Sequence, residues 1–289
     1  MTLRILPAPA GTGVVFRRTD LDSFEVPAIG RNVAKVSYAT SLMRKGVLIS
    51  TTEHLLSALI GMGVDNAYID LDNLELPILD GSAQPFVEMI LKAGVKRQRK
   101  KREYLRILKE VEVRDGDKYI SVSPAEGYSV SYSIDFKHPL IGKERFEVEL
   151  MGRDEQGHPE MDGDFYRRDI ASARTFGFLH EAEAMRKMGL IRGASEDNAI
   201  VLTPEGVQNG PLRYKDEFVR HKVLDLIGDL ALLGHRILGR VVADRAGHAM
   251  HTALVSRLLK DETLWQATTS EGDAVEVAAS SHVEARRGV

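Results

Sequence analysis

Apolar positions in the first ninety or so residues change period several times. The stretches GVVFRRTDL (13–21) and VAKVSYATSL (33–42) have the character of strands, TEHLLSALIGMG (52–63) repeats as one face of a helix does, and NAYIDLDN (66–73) alternates like a strand. SAQPFVEMILKAG (82–94) is expected to close this block as a helix. Next comes KRQRKKRE (96–103), with six basic residues in its first seven and no interleaved aromatic side chain. That pattern predicts a solvated linker in preference to a nucleic-acid contact. From Tyr104 the strand pattern restarts, with turn signals at Asp115-Gly116 and Gly127. A mixed segment over 165–199, a helix over about 215–233 and a strand HRILGRVVAD (235–244) follow. Past Ser270 apolar content is low, and the tail 271–289 is expected to be disordered.

Two segments echo one another. EHLLSALIGMGVDNAYIDL (53–71) and RHKVLDLIGDLALLGHRILGRVV (220–242) each start a helix near a histidine, pass a glycine at the same offset and lead into a β-rich segment. This predicts an α+β chain of two similar domains, 1–95 and 104–270, each a sheet layered with helices, with a cleft between them. With 289 residues, 43% hydrophobic and 28% charged, the chain can bury one large core or two ordinary ones. A net charge of −3 gives no global attraction to nucleic acid or to an acidic membrane surface. No apolar run reaches the length of a membrane span, and MTLRILPAPAG lacks the order of a signal peptide, so a cytoplasmic location is expected.

The chain has no cysteine, which removes disulfides and thiolate metal sites and turns attention to nine histidines. His221, Asp225 and Asp229 fall at i, i+4 and i+8 on an otherwise apolar helix. A carboxylate buried there needs a cation, a metal or several donors. Taken alone, His221 and Asp225 also read as an ordinary i, i+4 surface pair, and the apolar flanks favour the metal. Asp229 is either a further ligand or the carboxylate that orients a histidine ring. Ser50-x-x-Glu53 is a capping-box pattern with Glu53 at the third helical position, and His54 by itself reads as structural. A zinc hydrolase, however, needs three protein ligands and a nearby carboxylate, which His54, His221, Asp225 and Glu53 would supply. RAGHAMHTALVSRLL (245–259) offers His248 and His251 at a helix start, where an acid role needs a carboxylate such as Asp229. His138, His158, His180, His235 and His282 are expected to be structural or at the surface.

Four motifs, STTEHLLSALIGMGVDNAYIDLDNLELPILDGSAQPF, SARTFGF, DEFVRHKVLDLIGDL and AGHAMH, closely resemble the UDP-3-O-acyl-N-acetylglucosamine deacetylases of lipid A biosynthesis, over about Thr2 to Trp265. The resemblance implies a zinc amidase that releases acetate from a UDP-linked, 3-O-acylated sugar, an early committed step of lipid A synthesis. It implies His54, His221 and Asp225 as metal ligands, whose N and O donors also accept iron(II). It implies Glu53 as general base, His248 as general acid, Asp229 as the partner of His248, Lys222 as a substrate contact and Thr175 as a stabiliser of the oxyanion. It further implies a two-domain fold and an insertion, 176–195, forming a hydrophobic passage for the acyl chain. Phe176, Phe178, Met185, Met188, Leu190 and Ile191 provide apolar surface there. The implied partner is the acylated UDP-sugar, with no nucleic acid, no transmembrane segment and a monomeric chain favoured. Another metal-dependent amidase or peptidase, or a non-catalytic nucleotide-sugar-binding relative, are the alternatives. Family members usually begin earlier, with a strand and a Gly-rich turn. This chain starts at the next strand, so its first sheet is expected to have an unpaired edge and its active-site rim to lack a loop.

Overall fold

The structure is a computed structural model and describes residues 1–34, 36, 39–153, 159–179 and 198–284. The fold is α+β. A five-stranded sheet runs in the order Ser281–Glu284, Thr2–Pro7, Ala67–Leu71, Val14–Arg18, Phe24–Pro27. Its strands alternate as the sequence suggests: Ala67, Ile69 and Leu71 are buried, while Tyr68 and Asp70 are partly exposed. The helices Glu53–Gly61 (α1) and Gln84–Ala93 (α2) share a core with this sheet, in which Leu3, Ile5, Phe16 and Ile69 join Leu55, Leu59, Phe86 and Ile90.

The larger sheet has seven strands. Gly142–Glu149, Tyr128–Phe136, Arg236–Asp244, Val95–Ile107 and Trp265–Val277 lie in that order, and the hairpin of Val111–Asp115 and Lys118–Ser123 joins it along Arg236–Asp244. Among the described residues the short helix Gly163–Asp169 (α3) lies against α1, while two helices pack on the larger sheet, Glu217–Leu230 (α4) and His248–Lys260 (α5). The N-terminus of α3 is capped by the Asp162 side chain, which accepts the Phe165 N–H at 2.8 Å.

Helices α1 and α4 pack directly on each other, and Gly228 explains how: a Cβ there would lie 2.0 Å from the Glu53 carbonyl oxygen. A Cβ on Gly61 would lie 2.4 Å from the Tyr166 ring of α3. Each glycine marks a place where something approaches the helix more closely than any side chain allows. The offsets match in the sequence, but the two glycines serve different contacts.

Several expectations are corrected. The basic run 96–103 is exposed over most of its length but is not a linker: it lies in the strand Val95–Ile107, antiparallel to Trp265–Val277, with Lys101 opposite Asp273 and Lys96 opposite Glu276 in register. Arg102, at its end, is buried and bonds Asp65 and the Gly63 carbonyl. The stretch after Ser270 is not a disordered tail in its described part. Ser281–Glu284 pairs with Thr2–Pro7, placing Ser281 opposite Ile5 and Glu284 opposite Thr2. The edge of the first sheet expected to be unpaired is thus covered by the far end of the chain. In place of a strand over 33–42, Val33 forms an isolated bridge with Leu42 and a short strand, Leu42–Arg44, follows; residues 35, 37 and 38 lie outside the described residues. Among the described residues no helix is long and apolar enough to cross a membrane.

Candidate active site

The site forms where α1 begins against the middle of α4. Glu53 is the first residue of α1, after Thr52 at the cap position and Thr51 in a left-handed conformation, φ 62°. The capping box is therefore absent. Ser50 is still in extended pairing, its N–H donating to the Leu74 carbonyl and its own carbonyl accepting from Leu76. Glu53, freed from capping, turns one oxygen, Oε2, to the Thr40 N–H at 3.0 Å. Burial raises its pKa, against the opposing pull of the nearby His248 and His54.

His54, His221 and Asp225 are all buried, and their ligand atoms lie within 4.8 Å of one another. Asp225 Oδ1 is 3.2 Å from His221 Nε2 and 3.6 Å from His54 Nε2, and the two rings stand edge to face at 84°. The protons decide what this means. His221 Nδ1 lies 3.0 Å from the Ala173 carbonyl, so the ring N–H is used there and Nε2 presents a lone pair. Among the described residues, Asp225 Oδ1 is buried without a hydrogen-bond partner, whereas Oδ2 accepts the Lys222 ammonium at 2.7 Å. His54 Nδ1 also has no partner among the described residues. Burial opposes ionisation of Asp225, but the positive charges around it, Lys222 and His248 among them, outweigh it and hold the carboxyl well below the usual range. Acceptor atoms converging on a buried anionic oxygen repel one another unless a cation lies among them. Two imidazoles and a carboxylate are a donor set that suits zinc, and a divalent metal fits this site.

One turn along α4, Asp229 is fully buried and collects donors instead. Its Oδ2 accepts from Nδ1 of both His248 and His251, each at 2.8 Å, and its Oδ1 accepts the Thr40 hydroxyl. Burial works against a charged His248, but Asp229 and then Asp225 outweigh it and raise the pKa to about 9. The other ring nitrogen of His248, Nε2, reaches to 3.8 Å from Asp225 Oδ2 and so faces the first group. His251 Nε2 turns away, to the Tyr132 hydroxyl at 3.0 Å.

Residues 1–260 match the family model of UDP-3-O-acyl N-acetylglycosamine deacetylase. The chain belongs to that family. A UDP-3-O-acyl-N-acetylglucosamine deacetylase of Solibacter usitatus (strain Ellin6076) is 53% identical over 268 residues, which cover 92% of this chain and 87% of the relative. Deacetylases of the same name from Saccharophagus degradans and Cellvibrio japonicus are 43% and 44% identical, covering 98% and 94% of this chain and 90% and 87% of their own lengths.

Of the other residues implied by the likeness to the UDP-3-O-acyl N-acetylglycosamine deacetylase family, Lys222 and Phe176 border this centre. Thr175 follows two residues after the carbonyl that holds His221; its N–H donates to the Gly81 carbonyl at 2.8 Å and its own carbonyl accepts from Ile200. Lys222 holds Asp225 Oδ2 and lies over the Phe176 ring at 5.6 Å. Phe176 stacks edge-on with Phe218 and Phe136, and Phe178 lies beside Phe136 and His138, forming a half-buried aromatic shelf next to His221. Ile191, Met185, Met188 and Leu190, and with them most of the segment expected to form an acyl passage, lie outside the described residues. His251, Tyr132 and Thr40 take part in the site without having been assigned to it from sequence. For His251 a signal existed: His248 and His251 are three apart at a helix start, so one carboxylate can bind both. Thr40 offers no such pattern.

Proposed function

We propose that this chain is a zinc-dependent amidase that removes the N-acetyl group of UDP-3-O-acyl-N-acetylglucosamine, acting in the cytoplasm at an early step of lipid A synthesis. The observation that carries this reading is the buried Asp225 Oδ1, without a donor and faced by two imidazole nitrogens, with Glu53 and His248 nearby. His54, His221 and Asp225 would hold the ion. When bound, the ion supplies a Lewis acid that acidifies water and polarises an amide carbonyl.

Glu53 takes the proton of the attacking water. Its Oε2 is occupied by the Thr40 N–H, which leaves Oε1 for the transfer, and a raised carboxyl pKa brings the base nearer to neutrality. His248 is cationic at neutral pH and offers its Nε2–H to the departing amine, while Asp229 holds Nδ1 and steadies the charge. Thr175 assists the oxyanion, Lys222 contacts substrate, and the Phe176–Phe178 shelf meets the start of the acyl chain.

The test is metal content together with acetate release from the UDP-sugar. Glu53→Gln is expected to keep the metal and lose about 10²–10⁴ of kcat, the usual range for general acid–base help. His221→Ala is expected to lose the metal as well. Wild-type protein that bound no metal, or bound it and released no acetate, would sink the reading.

A further inference from the structure

Thr40 lies in the segment before the short strand Leu42–Arg44, is fully buried, and has every polar atom engaged. Its N–H donates to Glu53 Oε2 at 3.0 Å. Its hydroxyl donates to Asp229 Oδ1. Its carbonyl accepts twice from Thr52, the cap residue of α1, from the N–H at 3.2 Å and from the hydroxyl at 3.1 Å. The hydroxyl oxygen also lies 3.3 Å from His248 Nδ1, but that nitrogen has Asp229 Oδ2 nearer, at 2.8 Å. One hydroxyl carries one proton, and the anionic oxygen is the stronger acceptor, so the proton goes to Asp229.

We propose that Thr40 is a positioning residue that fixes the general base and the general acid relative to one another. This rests on the roles of Glu53 and His248 proposed above. Thr40 touches no reacting atom. Its N–H pins one oxygen of Glu53 and so selects the other for proton transfer. Its hydroxyl pins one oxygen of Asp229 and so turns the second toward both imidazoles. Its carbonyl ties the same residue to the cap of the helix that carries Glu53 and His54. Glu53 is 13 residues away in sequence and Asp229 is 189, so one residue connects groups from two distant helices. Without the hydroxyl, Asp229 Oδ1 would be a buried anionic oxygen short of a donor, and the carboxylate would rotate to find one, taking the His248 ring with it.

The metal-loaded enzyme is compared with Thr40→Val, which keeps shape and N–H but not the hydroxyl, and Thr40→Ser, which keeps both groups. The expected result is a fall in kcat of about 10- to 100-fold for Thr40→Val, with KM and metal content nearly unchanged, and recovery to within a few-fold in Thr40→Ser. In combination with Asp229→Asn the loss from Thr40→Val is expected to shrink, because both changes break one link. A Thr40→Val enzyme with wild-type kcat, or a Thr40→Ser enzyme as slow as Thr40→Val, overturns the proposal. The link is also readable without turnover, from the imidazole N–H proton resonances. Those of His248 and His251 Nδ1–H should shift and broaden in Thr40→Val and stay put in Thr40→Ser. Unchanged resonances overturn the proposal even for a protein that releases no acetate, an outcome that would separately defeat the assigned function. Should a buried valine methyl unfold the chain, Thr40→Ala, which removes the hydroxyl without adding a methyl in its place, gives the same two readouts.

Discussion

Two buried groups on neighbouring turns of α4 contain the same residue types and treat their protons in opposite ways. His54, His221 and Asp225 bring acceptors together: His221 has used its N–H on the Ala173 carbonyl, and Asp225 Oδ1 receives nothing. Asp229, His248 and His251 bring donors to an acceptor: both ring N–H groups and the Thr40 hydroxyl converge on one carboxylate. Both sets satisfy a distance criterion for holding a metal. Only the first has lone pairs left to give. Proximity of histidines and aspartates is thus a weak guide, and the hydrogen bond made by the other ring nitrogen is the deciding one.

The comparison can be broken with a pair of isosteric changes. Asp225→Asn is expected to cost the greater part of metal binding, since it removes the one anionic ligand. Asp229→Asn is expected to leave metal affinity within about 10–100-fold of wild type while kcat falls by about 10²–10⁴, because the loss is one of orientation and of proton supply through His248. Competition with a chelator measures the first quantity and acetate release the second. If Asp229→Asn lost metal as severely as Asp225→Asn, the two groups would not differ in kind.

A smaller effect is expected from the glycines that let the helices meet. Gly228→Ala would drive a methyl into the Glu53 carbonyl, which is backbone and cannot yield without moving α1. Gly61→Ala would press on the Tyr166 ring, whose hydroxyl is bonded to Ser57. Both should lower Tm through overpacking costs of about 1–3 kcal/mol. Gly228→Ala alone should also reduce kcat, by up to about 10²-fold, since displacement of the base by an ångström carries that penalty. Equal kcat losses in the two variants would show that strain anywhere along α1 reaches the site.

The helices that carry the site were legible because their apolar periodicity is strong and local. His221, Asp225 and Asp229 stand out because polar residues on an apolar stripe need partners, while joining His54 to them and Asp229 to His248 rests on the resemblance of the motifs to the family. The capping-box pattern Ser50-x-x-Glu53, which competes with the catalytic reading of Glu53, is not realised because Thr51 adopts a positive φ and delays the helix by two residues. The strand Val95–Ile107 is not legible in its own sequence because its partner Trp265–Val277 lies at the far end of the chain and the pairing is set by the fold. Thr40 was invisible for a related reason: its contribution lies in a backbone N–H and a hydroxyl whose partners are set by the fold.

The smallest expected effect separates the helix from the site it carries. Glu144, on the strand Gly142–Glu149, accepts the Val219 N–H at 3.0 Å and so satisfies a free donor in the first turn of α4. Burial raises its pKa from 4.5 to about 7, opposed by the Val219 bond and assisted by Asp216. Between those values the folded chain holds a proton that the unfolded chain has released. Stability attributable to this group is therefore full below about 4.5, declines as pH rises, and reaches its floor above about 7. Glu144 is half-buried, so solvent screening limits the difference to about 1 kcal/mol, or roughly 2–4 °C in Tm. Glu144→Gln keeps an acceptor for Val219 and cannot ionise. Between pH 5 and pH 8 wild type should lose that much more Tm than the variant, while the pH dependence of kcat stays the same in both. An equal Tm loss in the two would mean that Glu144 ionises as an ordinary surface carboxyl, and a changed kcat profile would mean that the start of α4 is coupled to the two groups further along it.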